Sequence, residues 1–216
     1  LVIAIASSAL FDLSESDKIY KEKGINEYRK FQEDNIDKTL NKGVAFPFVR
    51  RFLNLNKIFP DKEPVEVILL SRNSPETGMR VFRSIQKYGL NITRAGFFSG
   101  TSPYEYIPAF NASLFLSANM EDVNKAVSAG YPAGHVIETR IIDDEKDNEL
   151  RIAFDFDGVI ADDAAEIVFK KTKDLKKFHE TETQLSPIPH NPGPLQDLFM
   201  KISYFQKLET EKIKEN

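Results

Sequence analysis

Short aliphatic runs alternate along this chain with longer amphipathic stretches. The runs are LVIAIA at the start, VEVILLS at 65–71, ITRAGFFS at 92–99, ASLFLSA at 112–118, GHVIET at 134–139 and ELRIAFDFD at 149–157. That rhythm predicts an α/β fold, a parallel sheet whose strands are joined by crossover helices. Between the runs, SPETGMRVFRSIQKYGL places Val81, Ile85 and Tyr88 at helical spacing after a Ser-Pro start, and MEDVNKAVSAG opens with acids and stops at a glycine. Both read as crossover helices. With 216 residues, 41% of them hydrophobic, the chain can bury a sizeable core.

The polar stretch IDDEKDNE at 142–149 lacks periodicity and reads as a surface hairpin or an interlobe linker. A domain boundary is expected there. An internal repeat points the same way: Ile152 laid on Ile3, an offset of 149, puts IAFDFDGVIADD against IAIASSALFDLS. Further on the pairing shifts by a residue or so, and GPLQDLFMKISYFQ from Gly193 answers GVAFPFVRRFLNLN from Gly43. Self-similarity at so long a period indicates duplication of a domain. The first copy continues for four more strands after its match, whereas the second stops at EKIKEN soon after its matching helix. The second copy is therefore expected to be incomplete, by on the order of 100 residues if usual domain sizes apply.

The most reactive-looking feature is Asp155-Phe156-Asp157-Gly158 at the end of a hydrophobic run. In a strand, alternate residues face the same way, so both carboxylates would lie on one side. Ligands of parallel sheets bind beyond the carboxyl ends of the strands, where these acids would sit. Two close acids repel and are tolerable chiefly around a cation, and all-oxygen ligation favours a hard ion such as Mg²⁺. A carboxylate so placed can attack phosphorus, with Asp155 as nucleophile and Asp157 as general acid and base. A surface turn, or the metal-holding Asp-x-Asp of sugar-nucleotide transferases, would give the same short pattern.

The complete string IAFDFDGVIAD resembles the first signature of the haloacid dehalogenase superfamily. SSALFDLSESDKIYKEKGINEY, GVAFPFV, LLSRNSPETGMRVFRSIQKYGLNITRA, SGTSPYEYIPAFNASLFLSANMEDV and FDFDGVIADDAAE then resemble cytosolic type I 5'-nucleotidases over nearly the whole chain. The resemblance implies a Rossmann-like parallel sheet with helical cap segments, internally duplicated: a degenerate lobe over 1–142 with its cap at about 13–45, and a nucleophile strand and cap of a second lobe over 149–216. It also implies a Mg²⁺-dependent hydrolysis of nucleoside monophosphates, with Mg²⁺ on Asp155, on the backbone carbonyl of Asp157 and, if the first lobe contributes, on Asp122. Ser71, Arg72, Asn73, Ser102 and Asp163 are the candidate phosphate or substrate contacts.

Departures from the superfamily pattern matter too. A hydroxyl, a lysine and an acidic pair should follow the nucleophile, and none follows Asp157. The first copy has Ser71 and Asp122 in the corresponding places, but Ala6 and Ser8 where the nucleophile pair should be, and Pro108 where the lysine is expected. The first copy thus reads as a decayed catalytic domain. A noncatalytic nucleotide-binding or regulatory protein, and a sugar-phosphate phosphatase of the same superfamily, are the competing readings. Ser74 fits a plain helix N-cap as well as a phosphate loop, Ser99–Pro103 fits a simple turn, and Asp163 with Glu166 fits a solvated helix start. His135, His179 and His190 lack metal-binding spacing and receive no role.

A net charge of −4 gives no broad basic field for nucleic acid. The absence of cysteine excludes disulfides and thiolate metal sites and fits a cytoplasmic setting. The opening LVIAIASSALF is too short to span a bilayer, lacks a basic leader and runs into DLSESD, so it reads as a buried strand, with no membrane partner expected. Its first residue is not methionine, so the true start is expected to lie upstream. Family analogy suggests a homo-oligomer.

Overall fold

A computed structural model of the chain describes residues 1–139 and 142–215. Arg140 and Ile141, near the end of the expected 1–142 lobe, and Asn216, the last residue of the 149–216 segment, lie outside the described residues. The chain divides into two compact units, Leu1–Leu150 and Arg151–Asn216.

The first unit runs β1 (Val2–Ile5), α1 (Ser7–Leu10), β2 (Phe11–Asp12), α2 (Ser14–Asp34), β3 (Asn41–Lys42), α3 (Phe46–Ile58), β4 (Glu66–Ser71), α4 (Pro75–Lys87) and β5 (Ala95–Phe97). Two single-turn 3₁₀ segments follow, then β6 (Leu114–Ser117), α5 (Met120–Ser128) and β7 (Ala133–His135). Five strands form a parallel sheet in the order β5-β4-β1-β6-β7, with Ala4 paired to both Ile68 and Phe115. This is the α/β architecture that the aliphatic runs predict. Interior β4, between β5 and β1, is buried from Val67 to Ser71, as a strand covered on both faces is. On one face Ala4, Ile68, Leu70 and Phe115 form the core with Ile107 and Ala126. On α3, Phe46, Val49, Phe52 and Leu53 share one buried stripe. Burial of each such side chain contributes about 1.5–3 kcal/mol.

Two expected strands are shorter than their runs. The run at 92–99 pairs only over Ala95–Phe97, and the run at 134–139 only over Ala133–His135. Both lie at sheet edges, where a ladder lasts only as long as the single neighbour does. Opposite Phe97 stands Ser71, the last residue of β4, and opposite His135 stands Ser117, the last of β6.

The cap expected at 13–45 consists of α2, kinked at Gly24 (φ 82, ψ −176), and the return to β3. Strands β2 and β3 pair antiparallel at its base, Phe11 against Lys42 and Asp12 against Asn41. The buried guanidinium of Arg80 ties the cap to α4, donating from Nε to Lys38 O at 2.9 Å and lying 5.6 Å from the Phe31 ring centroid. The 142–149 stretch forms a turn, Asp147 N donating to Asp144 O, that lies against α3. Arg50 donates to Asn148 Oδ1 (2.6 Å) and Asp147 O (2.8 Å), while Arg51 donates to Asp143 Oδ1 (2.6 Å) and Asp147 O (3.1 Å).

The second unit holds α6 (Ala164–Thr172), α7 (Leu175–Leu185) and α8 (Gln196–Glu215). The helical stretch expected over IVFKKTKDLKKF is a helix–turn–helix: Lys173 adopts φ 55, and Asp174 caps α7 through Lys176 N and Lys177 N. The strand expected at 149–157 does not form, and only Asp157 joins an isolated bridge, to Ala161. A strand exists through its ladder, and this unit's other described elements are helices, so the apolar run has no neighbour to pair with.

One backbone arrangement occurs in both units. Gly43 N donates to Leu10 O and Ala45 N to Ala9 O, just as Gly193 N donates to Ile160 O and Leu195 N to Val159 O. Ala9 N and Leu10 N converge on Ala6 O, just as Val159 N and Ile160 N converge on Phe156 O. Each pair is offset by 150 residues, as Gly193 is from Gly43. The offset of 149 read from the strand residues therefore corrects to 150 at the turn, which sets Asp157 against Ser7 and Gly158, with φ 69, against helical Ser8. In either register the first copy offers no carboxylate.

The two glycines share a steric reason. A Cβ on Gly43 would lie 2.7 Å from Ala9 O, and one on Gly193 would lie 2.5 Å from Val159 O. Since the obstacles are backbone, neither Gly43→Ala nor Gly193→Ala can be absorbed by a side-chain shift. Each should destabilise its own unit by about 1–3 kcal/mol, the range for overpacking. Hydrogen exchange of the two turns checks this: faster exchange confined to the substituted copy is expected, and unchanged exchange in both would contradict the close approach.

Candidate functional site

In the first unit the carboxyl ends of β1, β4, β6 and β7 open into a cleft of about 950 Å³. It lies where the chain leaves β1 toward β4 on one side and β6 toward β7 on the other, the switch point at which parallel sheets offer a crevice. Asp122, 2% exposed, sits in its wall under Arg72. The guanidinium donates from Nε to both Asp122 oxygens (2.9 and 3.0 Å) and from Nη2 to Oδ1 (2.6 Å), and its Nη2 lies 3.2 Å from Glu121 Oε2. These bonds, Asp122 first, raise the arginine's pKa above its ordinary value. In this cleft the cation facing the buried carboxylate is a side chain.

Among the candidate substrate contacts, Arg72 and Asn73 line the cleft, as does the candidate metal ligand Asp122. Ser71 lies beneath it: its hydroxyl is 2.8 Å from that of Ser7 and accepts from Asn73 N. That bond ties the end of β4 to the turn after β1. Ser102 is 6% exposed, its hydroxyl finds no partner among the described residues, and it is not part of the cleft wall. Ser74 is the N-cap of α4, in a reciprocal capping box with Thr77. The cleft also takes residues that sequence analysis left without a role. Asp12 comes from β2 and Asp17 from α2, Asn119 caps α5 through Glu121 N and Asp122 N, and His135 bonds Ala118 O through Nε2. Asn119 had a legible signal, an N-cap residue directly after a strand. Asp12, Asp17 and His135 had none, because long-range folding brings them there.

In the second unit the Asp-x-Asp stretch forms a tight turn around one carbonyl: Phe156 O accepts from Val159, Ile160 and Ala161 N at 3.0–3.3 Å. Asp155 and Asp157 are exposed, and Asp155 Oδ1 accepts from Phe156 N at 2.8 Å. Asp163 stands beside the turn, within 3.5 Å of where a Gly158 Cβ would be, and its carboxylate is 3.7 Å from Lys170 Nζ. Among the described residues no group of three or more His, Asp or Glu side chains is close enough to hold a metal ion.

Asp162 fastens the turn to the incoming loop. It accepts from Asn191 Nδ2 (2.6 Å) and Asn191 N (3.2 Å) and lies 3.2 Å from His190 Nδ1. These bonds, the Asn191 side chain first and His190 next, lower its pKa below the ordinary 3.8. A carboxyl held below its unfolded value adds stability above that value and loses it as the pH falls through the lowered one. Hydrogen exchange of the 156–163 turn in wild type and Asp162→Asn should therefore differ at neutral pH and converge in acid. A gap that persists in acid would rule this out.

A family model described as 5'-nucleotidase matches residues 1–216. Cytosolic 5'-nucleotidase 1B from Homo sapiens is 31% identical over 212 residues, covering 96% of this chain and 35% of that protein. The chain thus spans little more than a third of that relative's length. No solved structure matches.

Proposed function

Because the chain belongs to the 5'-nucleotidase family, we propose that its Asp155-Phe156-Asp157-Gly158 turn is the nucleophile turn of a phosphomonoesterase acting on nucleoside 5'-monophosphates. The observation that carries this reading is the turn itself, which presents two exposed carboxylates from one tight loop beside Asp163. A carboxylate oxygen of Asp155 attacks phosphorus, and the bond from phosphorus to the nucleoside 5'-oxygen breaks. Asp157 gives that oxygen its proton, so that free nucleoside leaves and an aspartyl phosphate remains. Asp157 then takes a proton from water as the water oxygen attacks phosphorus. The bond to Asp155 breaks, and phosphate departs.

The donor set suits Mg²⁺: carboxylate and main-chain oxygens of Asp155 and Asp157 are hard ligands, and this ion commonly uses one or two carboxylates while keeping several waters. When bound it would neutralise the charge of the phosphoryl group. Asp122 is the weaker candidate ligand, because Arg72 engages both of its oxygens. Ser71, Arg72, Asn73 and Ser102 belong to the first unit, whereas Asp163 belongs to the catalytic turn. No described helix is long and apolar enough to cross a membrane. A cytoplasmic setting is proposed from the cytosolic relative. A second reading, a nucleotide-binding protein without turnover, rests on Ala6 and Ser8 standing where the first copy's nucleophile pair is expected.

The deciding experiment is phosphate release from nucleoside monophosphates and sugar phosphates with added Mg²⁺, combined with acid quench and mass analysis of the Asp155 peptide. Release of phosphate from nucleotides with one phosphoryl group trapped at Asp155 is expected. Release from sugar phosphates alone would move the reading to that substrate class. Binding without release, both by this chain and by a form extended to the relative's length, would sink it.

A further inference from the structure

We propose that the strand-end cleft of the first lobe is a metal-independent binding site for an uncharged nucleoside, separate from the chemistry at Asp155 and Asp157. The cleft's position and its state of charge carry the inference. The choice of a nucleoside, rather than another neutral polyol, rests on the proposed nucleotidase reading.

The cleft occupies the crevice at the β1/β6 switch point, where parallel α/β sheets bind ligands, and its 950 Å³ lies within the ordinary range for a small-molecule site. It differs from a phosphate site in how its cations are used. Arg72 is committed to Asp122 and Glu121, and Lys42 to Glu145. Among the described residues each arginine and lysine of the wall thus already faces a carboxylate, and an incoming phosphate would also meet the carboxylates of Asp12 and Asp17. Bringing a dianion against carboxylates without a counter-charge is costly. Divalent metal is disfavoured for the complementary reason, since the buried carboxylate that would attract it, Asp122, is covered by a guanidinium.

Neutral hydrogen-bonding capacity remains. Asn119 spends its Oδ1 on capping α5, which leaves its NH₂ as a donor into the cleft. Ser8 and the side-chain amide of Asn73 line the same space, with no hydrogen-bond partner among the described residues. Asp12 accepts from Ser14, and its carboxylate with that of Asp17 offers further lone pairs to a sugar diol. Donors from the strand-end loops and acceptors from the cap fit a ligand with a hydroxylated ring and a heteroaromatic edge. A nucleoside has both and carries no charge. The lobe without nucleophile carboxylates would then sense the product that the other turn releases.

The test uses the full 216-residue chain with Asp155→Asn, to prevent turnover, in EDTA. Adenosine, guanosine, cytidine, uridine and their 5'-monophosphates are titrated calorimetrically, with amide NMR shifts as the positional readout. At least one nucleoside should bind, with affinity unchanged by Mg²⁺ and at least about tenfold tighter than its monophosphate, a gap of ~1.4 kcal/mol. Shifts should fall at residues 6–17, 72–73 and 118–122, and Asn73→Ala or Asp17→Asn should weaken binding while leaving the free chain's spectrum folded. Binding of no nucleoside, a requirement for Mg²⁺, a tighter monophosphate, or shifts centred on residues 155–163 would each overturn the proposal. Nucleoside binding without turnover, both by the wild-type chain and by a form extended to the relative's length, would sink the catalytic reading alone. Turnover without such binding would sink only this one.

Discussion

Replacing Asp155 with asparagine is expected to lower phosphate release by at least about 10⁴-fold, because an amide oxygen cannot form the acyl phosphate on which both half-reactions of the proposed mechanism depend. Asp157→Asn should cost less, about 10²–10⁴-fold, the usual share of a general acid and base. The two variants differ further with substrates whose leaving group needs no proton. Such an ester should recover most of the first step in Asp157→Asn and none of it in Asp155→Asn. Burst release of the leaving group measures the first step, and phosphate release the second. Equal recovery in the two variants would exchange or dissolve the assigned roles.

The largest expected effect on stability lies in the other lobe. Arg72→Ala leaves Asp122 buried and without its cation, a change that typically costs about 3–5 kcal/mol. Arg72→Lys should recover only part of the loss, since an ammonium cannot reproduce the two-pronged contact. Joint replacement by Arg72→Met and Asp122→Leu should come near the wild type, because the desolvation cost of both charges disappears with them. Two units make global unfolding a poor measure. Hydrogen exchange in β1, β4 and β6 reads the first lobe directly. An Arg72→Ala lobe that exchanges as slowly as wild type would mean the ion pair contributes nothing.

The strands of the first lobe are legible because β1, β4 and β6 are short aliphatic runs bounded by turn residues, and the start of α4 because Ser74-Pro75 is a cap signal with a mechanism. At the edges composition reads further than the ladder goes: residues 92–94 and 136–139 look like strand, yet they meet the neighbouring strand only through Arg94 O and Val136 N. The run at 149–157 exposes the same limit in full: hydrophobic pattern says which residues suit a ladder, and only tertiary structure supplies the other half. At the site, the strand-end location of Arg72, Asn73 and Asp122 follows from the pattern. That Arg72 closes on Asp122, fifty positions away, does not, because nothing local in SRNSP distinguishes a ligand-binding arginine from one already paired. Ser102 fails for a related reason: its sequence marks a turn, while its burial comes from the surrounding fold.

The turn held by Arg50 and Arg51 bears on how this protein tolerates sequence drift. Much of what the two guanidinium groups grip is main chain, the carbonyls of Asp144 and Asp147, an acceptor that every amino acid supplies. Side-chain acceptors come mainly from Asp143 and Asn148. Lys146 and Glu145 are exposed, and a surface ion pair such as Glu145 with Lys42 is worth little. Mutations at these two positions can therefore accumulate almost silently, while loss of either arginine would not. Across distant relatives the acidic letters of this stretch should vary and its path should persist, with the memory of that path kept on a helix almost a hundred residues earlier.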